Sequence, residues 1–442
     1  MKDLTSGNPA KILWLFSIPM LVSAMFQQIY NIADSMIAGK FVGEDALAAI
    51  GASYPITMIF MAIAMGINIG CSVVISQLFG GKKYREMKTA VTTTFLACLC
   101  ICLLLTAGGL LLCGPLLRMI QTPDNVFEDA ALYLKIYIGG LSFLFLYNIC
   151  TGIFTALGDS RTPLYFLIAS SLGNILLDLA FVTLVKWGVA GVAWATFTAQ
   201  GISSVLSIVT LAGKLRQIET EEKPAPFSWE MLRKIGRIAV PSILQQSFIS
   251  VGNIFVQALI NGFGSAAIAG YSAGMKLNTF AITSFTTLGN GVSSFTAQNV
   301  GAGKLERVKE GFRAGLVMMI LIALPFFAAF FFFDGPMLRL FMNAGSENAM
   351  AVGQDFLRIV SPFYFVVCIK LLADGVLRGA GAMKQFMIST FSDLIIRVML
   401  SYVLSGFLGT TGIWMSWPIG WVIGTSLSAF FYFTGSWKRA EL

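Results

Sequence analysis

The chain of 442 residues contains no histidine. That removes the imidazole as metal ligand and proton relay, so proton or cation chemistry falls to carboxylates, amides and hydroxyls. Charge is scarce as well: 12% of residues are Asp, Glu, Lys or Arg, about half the share in a soluble globular chain, and 56% are hydrophobic. A mean hydropathy of +0.78 puts the whole chain in the membrane class and excludes a soluble enzyme. A disulfide framework has no support. The cysteines Cys71, Cys98, Cys100, Cys102, Cys113, Cys150 and Cys368 all lie in or beside apolar segments and read as small apolar fillers. On a helix, the spacing of Cys98, Cys100 and Cys102 turns Cys100 away from the other two, which argues against a ligand cluster. A phosphate loop is also missing. Gly81-Lys82 and Gly303-Lys304 have Ser76 and Gln298 where a Walker A motif needs its first glycine, and no Ser or Thr follows, so ATP is not expected to be used.

What the chain has in abundance is long apolar runs. Twelve are long enough to span a bilayer, at 12–38, 46–78, 89–113, 128–157, 162–186, 188–214, 234–262, 267–299, 312–336, 350–380, 384–406 and 409–436. Period-two alternation over short segments, the mark of a membrane barrel, does not occur. The first run follows Lys2 and Lys11 without a small-residue cleavage site and reads as a retained helix. Net charge is +8, but the basic residues do not form a nucleic-acid patch: they sort by side of the membrane. Twenty-one of the 30 Lys and Arg fall on one face of the twelve-span arrangement and four (Lys40, Arg118, Lys186 and Arg339) on the other. This bias predicts both termini in the cytoplasm of a multi-pass protein of the bacterial inner membrane.

The polar stretch RQIETEEKPAPFSWEMLRK is the one long charged segment between spans. It divides the chain into an N-terminal lobe at 1–214, a cytoplasmic linker at 215–233 and a C-terminal lobe at 234–442. The halves repeat at an offset near 221: GEDALAAIGA at 43–52 matches GSAAIAGYSA at 264–273, SQLFGGKKYREMK at 76–88 matches AQNVGAGKLERVK at 297–309, and Pro19 pairs with Pro241. Six spans per half is even, so the repeat is parallel about an axis along the membrane normal. The expected fold is therefore an all-α polytopic membrane protein of two six-helix lobes, with the substrate site between them.

Ionisable groups within such spans are costly and mark function. Apart from Glu128 and Asp129 at the very start of the span 128–157, the N-terminal half has two acids in its spans, Asp34 and Asp178. Asn174 lies one turn before Asp178 on the same face, and Thr196 is on the next span. At 1.5 Å per residue these groups sit about 6 to 12 Å inside the outer ends of their segments, in one layer. Asp34, Asn174, Asp178 and Thr196 correspond in the second half to Val256, Ile395, Met399 and Trp417, so the acid set belongs to one half alone. A buried carboxylate of this kind binds a cation or takes up a proton, and oxygen ligands from the four residues would suit Na+. Pro19 marks a kink or hinge. Gln27, Tyr30 and Asn31 give the first span a polar face, which with Met61 and Asn148 outlines a substrate pocket. In the other half, Lys370 and Asp374, and Asp393 and Arg397, are each one turn apart and read as internal ion pairs, with a gating or second proton role as the rival. Lys276 has no sequence-local partner.

In order and spacing, Pro19 with ADSMIAG at 33–39, SQLFGGKK at 76–83, ALGDSRTP at 156–163, GNILLD at 173–178 and VLRGAG at 376–381 resemble the multidrug and toxic compound extrusion (MATE) family over essentially the full chain. The resemblance is to the prokaryotic branch that includes DNA-damage-inducible protein F. It implies a V-shaped, two-lobed exporter that alternates between outward- and inward-open states and couples drug efflux to influx of Na+ or H+. It also implies a cation site at Asp34, Asn174, Asp178 and Thr196, and bending at Pro19. Other branches carry an acid on the seventh span, where this chain reads PSILQQSFISVGN.

The resulting expectation is a secondary antiporter for amphipathic or cationic organic compounds, working as a monomer in the bilayer without cofactor or nucleic acid, with H+ or Na+ as coupling ion. The rival is a flippase for lipid-linked oligosaccharide or cell-wall precursors. That activity calls for arginines lining the cleft, and the N-terminal half has none within its spans. An intramembrane enzyme would need a nucleophile with a base, or a metal cluster, and the sequence offers neither.

Overall fold

A computed structural model describes residues 2–37, 41–42, 44–220, 222–342 and 347–439; the side chains at 34–37, 44–47 and 439, Asp34 among them, lie outside that description. The described chain is helical throughout and has no strand. The helices are α1 (Pro9–Ile37), α2 (Glu44–Gly80), α3 (Tyr84–Met119), α4 (Asp124–Gly139), α5 (Leu141–Ala156), α6 (Arg161–Leu179), α7 (Val189–Arg216), α8 (Trp229–Asn261), α9 (Ser265–Gly301), α10 (Leu305–Phe332), the short α11 (Asp334–Leu338), α12 (Glu347–Val360), α13 (Tyr364–Gly379), α14 (Met383–Leu408) and α15 (Thr410–Phe433).

The twelve expected spans map onto these elements with two of them broken. The run at 128–157 is α4 plus α5, bent by 49°. Gly139 and Gly140 sit at the break, where the low helix propensity of glycine makes a bend cheap. The run at 350–380 is α12 and α13 joined by a 3-10 turn, Ser361–Phe363, whose Pro362 has no N–H to continue the α-helical ladder. Among the described residues nine helical spans are apolar enough to cross a membrane, ten with the bent pair. The other two, α9 and α15, are rich in Gly, Ser and Thr. Burial explains α9: its hydroxyls turn back onto their own helix, as Thr279 Oγ1 does to the Met275 carbonyl (2.7 Å) and Ser284 Oγ to that of Phe280 (2.7 Å), so they need no water.

The helices form two compact units, Met1–Asp3 with Val22–Ile243, and Leu4–Leu21 with Leu244–Leu442. In the first, α2 packs against α3, α4 and α5, while α5 and α6 both run along α7. In the second, α9 packs against α10, α12 and α13, and α15 against α13 and α14. Close approach there relies on glycine: a Cβ at Gly379 would lie 2.3 Å from the Ser293 carbonyl oxygen. The division cuts α1 two residues after Pro19 and α8 two residues after Pro241, the repeat-related prolines.

The backbone carries the repeat as well. Gly188, which starts α7, has φ 57° and ψ −132°, and Gly409, which starts α15 at an offset of 221, has φ 60° and ψ −140°. A side chain is strongly disfavoured in that region, so both turns call for glycine. At the start of α3 and α10 the halves differ: Lys82 (φ 57°) adopts the left-handed conformation that its counterpart Gly303 (φ 72°) takes without strain.

Candidate functional site

The acid face of α6 is inverted relative to a soluble amphipathic helix. Asp178 (0% exposed) and Asn174 (2%) point inward, while Leu172 (52%) and Leu176 (68%) face outward, as expected of a helix bordering lipid. Immediately after Asp178 the helix widens into a π-helical turn, Ala180–Leu184, closed by Val185 N–H donating to the Ala180 carbonyl at 3.1 Å. Such turns recur at functional sites. Gly188 then reverses the chain, so α7 returns antiparallel and brings Thr196 beside Asn174.

A chain of hydrogen bonds orders these groups. Tyr30 Oη of α1 donates to Asn174 Oδ1, and Asn174 Nδ2 donates to Thr196 Oγ1 at 3.5 Å. Asn174 is thereby held with its amide oxygen toward α1 and its nitrogen toward α7. Asp34 is four residues beyond Tyr30 on α1, and its side chain lies outside the described residues. Tyr30, Asn174 and Thr196 border a cavity of about 60 Å³, enough for several water molecules, together with Gln27, Tyr147, Leu167, Ser170, Ser171, Ala199, Gln200 and Ser203. Every polar group lining it is neutral.

Of the residues expected in a substrate pocket, Gln27 and Tyr30 line this cavity. Asn31 is exposed and accepts a hydrogen bond from Gln27 Nε2 (3.0 Å). Asn148 is spent on packing: its Nδ2 donates to the Leu144 carbonyl (2.8 Å) and its own carbonyl accepts from Asn68 Nδ2 (2.7 Å). Neither Asn148 nor Met61 lines the cavity. Lys135 of α4 is exposed. Sequence reading did not single out Tyr147, Gln200 and Ser203. The available signal was the recurrence of Thr196, Gln200 and Ser203 on one face of α7.

The MatE family model matches residues 19–180 and 241–403, most of both halves. The chain belongs to the MatE family. It is similar to a probable multidrug resistance protein of Bacillus subtilis (strain 168), at 28% identity over 100% of this chain and 98% of that one. Its fold is that of solved MATE structures: a complex with MaL6 (TM-score 0.92, 22% identity, 99% of each chain) and an outward-facing multidrug resistance MATE transporter of the MOP superfamily (TM-score 0.91, 23% identity, 99% of each chain). This MatE protein is a membrane transporter and not an enzyme.

The charges in the other half of this MatE chain also come together, with Lys370 and Asp374 paired as expected and Asp393 turned to Lys370 and not to Arg397. Lys370 Nζ donates to Asp374 Oδ2 at 2.7 Å and lies 3.7 Å from Asp393 Oδ2, all three being buried. Arg397 does not join Asp393 in an ion pair among the described residues; its guanidinium stacks over Trp417, 4.6 Å from the ring centroid. The reason is steric: Gly420 and Gly424 of α15 leave a slot, a Cβ at Gly424 falling 2.6 Å from Lys370 Cε, through which lysine from α13 reaches the carboxylate of α14. Ser428 donates to Asp374 Oδ1 at 2.5 Å. Lys276 lies 5.5 Å from the Phe341 ring centroid. Pro19 sits within a continuous α1.

At the opposite end of the α6–α7 pair, Asp159 bonds to Lys214 and Thr162. Burial opposes its charge, but the hydrogen bonds from Lys214 and Thr162 more than offset that and hold the carboxyl below its usual range. A lowered folded value adds stability above the ordinary carboxylate pKa of about 3.9, and that stability is lost as pH falls through the folded value. Asp159→Asn is therefore expected to melt below wild type at pH 7, with the gap closing toward pH 3. A gap independent of pH in detergent melting curves would contradict the assignment.

Proposed function

We propose that this protein is a secondary antiporter that exports amphipathic, cationic organic compounds and takes H+ or Na+ in return at Asp34, Asn174, Asp178 and Thr196. The observation that carries the reading is the fully buried Asp178, one turn from an Asn174 that Tyr30 and Thr196 orient. Acids this deep in a membrane-spanning helix are rare and mark ion or proton sites. The name of the Bacillus relative supports export of drugs. The distribution of Lys and Arg supports a bacterial inner-membrane protein with cytoplasmic termini, two lobes at 1–214 and 234–442, and the linker at 215–233. It acts as a monomer.

Coupling follows from differential affinity. The ion stabilises one conformation and the organic substrate the other, so neither equilibrium moves without the other. Tyr30 ties the ion site to α1, and bending of α1 at Pro19 would carry ion occupancy toward the substrate side. The test is uptake of a fluorescent organic cation by liposomes holding the purified protein, under a Na+ gradient or a pH gradient imposed separately. Transport driven by one gradient names the ion. Transport under neither would refute antiport and turn attention to the flippase, examined with a labelled lipid-linked precursor.

A further inference from the structure

The polar lining does not stop at the cavity. Along α7, Thr196, Gln200, Ser203, Ser207, Thr210 and Lys214 recur every three or four residues and so share one face. Ser203 and Ser207 on that face are buried, whereas Ile202, Val205, Leu206 and Val209 on the other are about half exposed or more. The helix thus turns its hydroxyls inward and its branched aliphatics toward lipid. On α5, Tyr147, Thr151 and Thr155 recur at one-turn intervals, Tyr147 lines the cavity, and α5 and α6 both pack along α7.

Direction can be read from the helix polarity. From Thr196 to Ser203 on α7, and from Asn174 back to Leu167 on α6, the cavity runs seven residues, about 10 Å, away from Asp178. The polar face continues beyond it to Lys214, whose ammonium bonds to Asp159 and to Thr162 Oγ1 (2.8 Å) and lies 5.2 Å from the Phe154 ring centroid. Simple helix packing accounts for the hydroxyls that bond to their own backbone, such as Ser203 to the Ala199 carbonyl at 2.8 Å. It does not account for Gln200, a long side chain beside the cavity whose Oε1 is buried without a hydrogen-bond partner among the described residues. A buried amide oxygen in that position calls for water or a cation.

We propose that the seam between α5, α6 and α7 is the inner half of the ion path: the ion leaves Asn174, Asp178 and Thr196 past Gln200, follows Ser203, Ser207 and Thr210, and emerges beside Asp159 and Lys214. The passenger and the cytoplasmic direction rest on the antiport reading above. The chemistry suits transit. Neutral oxygens solvate Na+, or order the water that relays a proton, without the deep well that another carboxylate would create. Beyond Asp178, the one acid named on the route is Asp159 at its mouth, where it is paired with Lys214.

The test uses Ser207→Cys, with Leu206→Cys as the lipid-facing control, in protein whose exposed Cys100 is changed to Ser. A membrane-impermeant methanethiosulfonate ammonium reagent is added to one side of uniformly oriented vesicles. Ser207→Cys is expected to react from the cytoplasmic side at least tenfold faster than Leu206→Cys, and Thr210→Cys replaces it should it not fold. Gln200→Leu, close in volume, is expected to cut gradient-driven transport at least tenfold. Equal reaction at both cysteines, or wild-type transport by Gln200→Leu, overturns the proposal. Labelling does not require transport. A protein that moves nothing under either gradient therefore refutes antiport, while one that transports but leaves Ser207→Cys inert refutes the seam alone.

Discussion

Asp178→Asn is expected to bring gradient-driven transport down at least a hundredfold, to the level of empty liposomes, without loss of folded protein. The amide keeps the size of the carboxylate and its capacity to accept a hydrogen bond, but it cannot release a proton and gives a cation only a neutral ligand. A conformational cycle driven by one ion then has nothing to couple to, whatever the gradient: a pH unit offers about 1.4 kcal/mol and 100 mV about 2.3 kcal/mol per charge, and neither is captured. Asp178 is completely buried, and asparagine matches the carboxylate in shape, so the packing around the site is kept. Asp34→Asn should match it in transport. Unchanged transport in Asp178→Asn would remove the acid from the coupling mechanism. A fall in melting temperature with transport per folded molecule preserved would make it a structural residue.

Much of this was legible in the sequence because membranes impose a simple rule. Backbone groups must be satisfied within a helix, so hydropathy finds most spans, and any acid inside one stands out. Asp178 and Asn174 could be placed on one face by counting, since α6 is regular between them. The bond from Tyr30 to Asn174 joins residues 144 apart and depends on how α1 docks, which local spacing does not encode. The charges at 370–397 show the limit most clearly. One-turn spacing correctly paired Lys370 with Asp374 but paired Asp393 with Arg397, whereas the slot at Gly420 and Gly424 turns Asp393 toward Lys370. The break at Gly140 escaped notice because apolar residues continue across it. The polar face of α7 was present in the sequence, but Ser, Thr and Gln are common enough in spans to pass as packing.

Lys370→Met is expected to cost about 3 to 5 kcal/mol of stability, the usual penalty for removing one member of a buried charge set. Lys370 is the only cation paired with Asp374 and Asp393 among the described residues, and all three are at most 5% exposed. Methionine matches the length and volume of lysine, so the loss is electrostatic and not a cavity. Two carboxylates would then face each other across α13 and α14 with Ser428 as the remaining donor to Asp374. The compensating variant decides the cause. Lys370→Met combined with Asp374→Asn and Asp393→Asn removes these three charges at once and should recover most of the melting temperature, because amides of the same shape carry far less desolvation cost than ions. If the triple variant is as unstable as Lys370→Met, packing in the glycine slot and not charge balance is what Lys370 supplies. Transport by the recovered variant then separates two roles: wild-type rates per folded molecule would make the cluster an internal brace, and loss of transport with stability restored would make its charges part of the conformational cycle.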